Sequence, residues 1–151
     1  MPPVKLSARR VREALDAQLD ASGEDPYQGA DELGALVDAL ARAVLRAADA
    51  GAVPVRAAAK AAVRGTLDRL AAAAPGHSLE VRVPPHGAVQ CVAGPRHTRG
   101  TPPGVVETDP VTWLELATGR LTWADAAARH RVAASGVRAD LGPYLPLAPP
   151  R

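Results

Sequence analysis

The chain has no phenylalanine, a single methionine at its first position and a single cysteine in 151 residues. One thiol, Cys91, cannot close an internal disulfide and is too few for a structural zinc site. No run of about 18 apolar residues is present, so no membrane-spanning helix is expected. There is also no basic start followed by an apolar stretch and a small-residue cleavage site, and the expectation is a cytoplasmic protein. An excess of charge of one sign is lacking as well: sixteen Arg and two Lys face sixteen acids, for a net charge of +2. Nucleic-acid binders gather bases on one stripe beside aromatic platforms, whereas here the bases are spread along the chain and aromatics make up 3% of it. Arg9, Arg10 and Arg12, the densest basic cluster, have Glu13 and Asp16 beside them and read as a solvated helix face. No nucleic-acid partner is expected.

What is present is 47% apolar residues, enough for one ordinary domain with a small helical addition. Residues 7 to about 19 predict a helix capped by Ser7, with Val11, Leu15 and Leu19 on one face. A turn-like stretch from 23 to 29 follows. Residues 31–50 predict a second helix whose stripe is Leu33, Leu36, Val37, Leu40, Val44 and Leu45, ended by Gly51. A third begins at Pro54 and runs to about 73, with Val55, Ala59, Ala62, Val63, Thr66, Leu67 and Leu70 facing inward. Its alanines permit close approach to a neighbouring backbone.

After Gly76 the period changes to two: Leu79, Val81 and Val83 alternate with Ser78, Glu80 and Arg82, a half-buried strand. A Pro84-Pro85-His86-Gly87 turn leads to a return strand over 88–92, and a Gly- and Pro-rich loop over 94–104 leads to a strand over 105–108. Asp109 before Pro110 starts a helix that Gly119 ends in a left-handed turn, and Thr122 with Asp125 starts another. A short strand over 131–134 comes next, then helical turns capped by Ser135 that end at Gly142-Pro143. The order predicts an α+β fold, a largely antiparallel sheet covered on one face by helices.

Two blocks of sequence go further. One is Trp113-Leu114-x-Leu116-x-Thr118-Gly119-Arg120-Leu121-Thr122-Trp123-x-x-Ala126 with Arg131-Val132-x-Ala134-Ser135-Gly136. The other is Val81-Arg82-Val83-Pro84-Pro85-x-Gly87-Ala88-Val89-Gln90-Cys91-Val92, followed by Gly94-Pro95-Arg96-His97-Thr98-Arg99-Gly100-Thr101-Pro102-Pro103. Together they resemble the sterol-carrier-protein domain in the bacterial form of high-GC organisms. The likeness covers 54–147, leaving 1–53 as an N-terminal helical extension and 148–151 as a loose tail. It implies a non-catalytic domain that carries a lipid, fatty acyl or sterol-like molecule in an apolar tunnel between sheet and helices. The implied walls are Trp113, Leu116, Leu121, Trp123 and Ala126, with Val83, Val89, Cys91, Val106, Val132, Val137 and Leu141. Lipid carriers of this family line the tunnel with Phe and Met, whereas this chain has no Phe and only Met1; walls of alanine and valine either leave a hollow or close it.

Other chemistry has little to stand on. Cys91, with His97 nearby, is a conceivable nucleophile, but it shares a strand face with Val89 and reads as an inert core thiol. His77, His86, His97 and His130 form no ligand spacing, and phosphate-loop, Gly-x-Ser-x-Gly and zinc-protease signatures are absent, so no metal or cofactor is expected. Arg96 and Arg99 could hold an anionic headgroup at a tunnel mouth, or pair with Glu107 or Glu80. Two functions remain in view. One is carriage of a hydrophobic or amphipathic molecule. The other is a ligand-free interaction domain in which the N-terminal helices pair with a partner or a second copy.

Overall fold

The computed structural model describes residues 5–94, 104–137 and 139–147. In chain order these form α1 (Ala8–Ala21), α2 (Leu33–Asp49), α3 (Arg56–Ala73), β1 (Leu79–Val83), β2 (Gly87–Cys91), β3 (Gly104–Thr108), α4 (Pro110–Thr118), α5 (Trp123–Ala128) and β4 (Val132–Gly136). A single 3-10 turn, Gly142–Tyr144, follows. None of the described helices is long and apolar enough to cross a membrane.

Local sequence explains most helix ends. Ser7 accepts a hydrogen bond from the Arg10 amide, Asp109 from that of Thr112 and Thr122 from that of Asp125, each filling one of the amide donors a helix start leaves open. Gly119 closes α4 at φ +84 and Gly51 follows α2 at φ +77, both conformations that a side chain would strain. The third helix begins two residues later than Pro54 suggests. Gln18 of α1 accepts from the Val55 amide at 2.8 Å, a cap supplied by tertiary contact rather than by a neighbour in sequence.

The strand order is β2-β1-β3-β4. β1 pairs with β2 and β3 with β4 in antiparallel register, but the central pair, β1 with β3, is parallel. The sheet is therefore mixed. Leu79 faces both Cys91, the last residue of β2, and Gly104, the first of β3. Both ends thus lie at the same end of β1, and β3 must run with β1. Alternating polarity cannot reveal this, because it sets which face is apolar and not strand direction.

Two further expectations are corrected at the chain's end. The fourth strand extends to Gly136, and Ser135 lies within it opposite Val105 instead of capping a helix. The final turn starts at Gly142 rather than ending there, with the Asp140 carboxylate accepting from the Gly142 amide at 2.8 Å. Ser78, expected to point outward, is buried; its hydroxyl donates to the Val92 carbonyl at 2.7 Å.

Three layers result. The sheet's inner face, Leu79, Val81, Val83, Cys91 and Val106, shares one core with α3, which packs on β2, and with Trp113 and Leu114 of α4; α2 packs on α3 and α4, and α1 on α2 and α3. The α2 stripe, Leu36, Val37, Leu40, Val44 and Leu45, is buried inside the chain's own core, while Leu33 at the helix start is exposed. Polar ties lock the layers. Arg69 of α3 donates to Asp38 of α2 at 2.7 Å and to the Gly34 carbonyl at 3.1 Å. Arg131, just before β4, donates to Thr112 and Glu115 of α4 at 2.8 and 2.6 Å. Such charge-assisted bonds between partly buried groups fix orientation as well as adding stability.

Candidate functional site

The residues expected to line a tunnel divide into two groups. Val83, Cys91, Val106, Trp113 and Leu141 meet in the main core, each at 0% exposure. A side chain that a water-sized sphere touches neither from outside nor from within borders no hollow. At these positions the valines, the thiol and the indole fill the space between sheet and helices, as close-packed interiors do. Trp113 is also pinned: its indole N–H donates to the Thr66 hydroxyl at 2.7 Å, and that hydroxyl donates to the Ala62 carbonyl at 2.7 Å. The alanines Ala58, Ala59, Ala61 and Ala62 of α3 are buried in the same core. Val89 sits half-buried at the margin of this core.

The second group is a smaller cluster of Leu116, Leu121 and Ala126, with Trp123, Val132 and Leu145 packed on it. Beside it opens a groove of about 480 Å³ between the segment after α4 and the returning chain end. Its walls are Gly119, Leu121, Trp123, Leu145 and Pro146, with Thr122 and Asp140 among its polar groups. The chain end is held there by the Leu147 amide, which donates to the Ala117 carbonyl at 2.9 Å. Gly119 keeps the approach close, since a Cβ there would stand 3.3 Å from the Pro146 ring. Trp123 is half-buried and helps line the groove, in contrast to Trp113. Val137 is 69% exposed and belongs to neither cluster, and Arg96 and Arg99 lie outside the described residues.

Sequence reasoning marked Leu121 and Trp123 but not Leu145, Pro146 or Asp140. Those three come to the groove only because the chain folds back on Gly119, for which no local pattern exists.

Cys91 is unsuited to nucleophilic chemistry. Burial alone pushes its thiol from 9.0 up to about 11, leaving almost no thiolate near neutrality. A thiol reagent at pH 8 is expected to leave the folded protein unmodified and to label it in denaturant. Because the folded value is the higher, the thiol's contribution to stability is full below about 9 and is lost as pH rises through about 11. Urea midpoints of wild type and Cys91→Ala measured from pH 8 to 11 are expected to converge, since the variant lacks that loss. Among the described residues, no group of three or more His, Cys, Asp or Glu is placed to hold a metal ion.

The described residues thus form a layered α+β domain with a mixed sheet, an Ala-rich helix on it and the Trp113–Trp123 helix pair. Residues 55–147 match the family described as bacterial SCP ortholog, and the chain belongs to that sterol-carrier-protein-like family. A comparison with curated proteins gave no match.

Proposed function

We propose that the protein is a non-catalytic binding module for an apolar small molecule, which it takes up in the groove beside Trp123. The family supports a carrier role, and the groove is the observation that carries the reading. It pairs a partly open indole with Leu121, Leu145 and Pro146 in a concavity within the size range of small-molecule sites. The interior alternative has no space at Val83, Cys91, Val106, Trp113 or Leu141. Polar character at the groove comes from the Asp140 carboxylate and the Thr122 hydroxyl, with no cation among its lining residues. A neutral, hydroxyl-bearing apolar molecule suits it; a carboxylate would meet Asp140 as a like charge.

Equilibrium titration with 1-dodecanol and with laurate tests this. Dodecanol is expected to bind the more tightly, and Trp123→Ala to weaken it about tenfold, the loss of a central aromatic contact. Equal binding by the variant would remove the groove from the reading. The interaction alternative keeps little support, because the α2 stripe that would have met a partner is buried within the chain.

A further inference from the structure

A second concavity of about 520 Å³ lies between α1 and α3, lined by residues of those two helices and of the segment just ahead of α1. The two helices run antiparallel. Leu6, ahead of α1, lies over Gly65 of α3, while Gln18 near the end of α1 caps Val55 at the start of α3. The trench between them is floored by Ala14, Ala17, Ala57 and Ala61, with Leu6 at one end. Its rim is cationic on both sides: Lys5 and Arg10 from the α1 side, Lys60 and Arg64 one turn apart on α3.

Elsewhere on these helices Arg9, Arg12 and Arg69 each pair with a carboxylate. Among the described residues, none of the four rim cations makes an ion pair. The single acid of the lining, Glu13, is bound to Arg9 instead. The positive field extends to His86, whose imidazole is held below its ordinary value by burial and then by Arg56 and Lys60.

We propose that this trench binds an amphipathic anion, an apolar chain lying on the alanine floor and a phosphate or carboxylate head held between the rim cations. The site is separate from the Trp123 groove and does not depend on it. An apolar floor within a concavity favours a single tail over a bilayer surface, which cannot enter a trench, and facing cations favour a compact anionic head.

Calorimetric titration of the whole chain with dodecyl phosphate, inorganic phosphate and dodecyl maltoside below their aggregation concentrations tests the proposal. Dodecyl phosphate is expected to bind, with inorganic phosphate and the neutral detergent each at least about tenfold weaker, since each keeps half of the recognition. Arg10→Glu with Lys60→Glu, both at exposed positions, should weaken dodecyl phosphate about tenfold or more with an unchanged urea midpoint. Should that pair fail to fold, the Gln pair at the same positions is expected to act in the same direction. Ala57→Phe, which fills the trench without changing charge, should also weaken it. Trp123→Ala should not, and this separates the proposal from the reading of the other groove. Unchanged affinity in the charge variants, inorganic phosphate binding as tightly as dodecyl phosphate, or binding only to phosphatidylglycerol vesicles would each overturn it.

Discussion

Trp113→Ala is expected to cost about 3–5 kcal/mol, a large part of the roughly 5–15 kcal/mol that holds a domain of this size together. The ring is fully buried in the main core with the inner-face valines and the α3 alanines, so its removal leaves a cavity that fixed backbones on both sides cannot close. It also strips the Thr66 hydroxyl of its donor. Urea unfolding followed by circular dichroism measures the loss. Thr66→Val separates the polar part: the indole N–H would be left buried without an acceptor, at about 1–3 kcal/mol. Trp123→Ala, at a half-buried groove wall, is expected to cost clearly less than Trp113→Ala.

Gly76→Ala should be the most damaging change of a single methyl group. Gly76 sits at φ +149, and a Cβ there would collide with the backbone carbonyl of Val92. That carbonyl cannot retreat. It accepts from both the amide and the hydroxyl of Ser78, while the Val92 amide donates to Ala74 at 2.6 Å. Val92 is itself held at φ 66, an unfavourable conformation for a β-branched residue. Strain and clash together are expected to cost about 3 kcal/mol or more. Gly51→Ala is the control: it has φ +77 but open space around the added methyl, and should cost about 1 kcal/mol. Thermal melts of the two variants, compared at one protein concentration, check the difference.

What could be read in advance was whatever a few neighbouring residues decide. Ser7, Asp109 and Thr122 cap their helices as written, Gly119 ends α4, and the alternation at Leu79, Val81 and Val83 gives the buried face of β1. The Leu36 to Leu45 stripe likewise announced a buried helix, though not that its cover would be α1 and α3 of the same chain. What escaped reading depends on distant meetings. Gln18 caps a helix start 37 residues away, and Ser78 turns inward because Val92 offers it a carbonyl. The parallel pairing of β1 with β3 follows from where β2 ends. The Trp123 groove needs Pro146 to return to Gly119. The cationic trench had one legible trace, the spacing of Arg56, Lys60 and Arg64 along one face of α3, but its second wall comes from α1.

The two tryptophans allow a direct test of a filled interior beside an outward binding groove. Trp113→Phe leaves Trp123 as the sole indole reporter, and Trp123→Phe leaves Trp113. On titration with 1-dodecanol, emission from Trp123 is expected to shift to the blue and saturate, while emission from Trp113 stays unchanged throughout. A saturable shift of Trp113, with Trp123 silent, would mean that the ligand enters between sheet and helices, and would contradict the closed core.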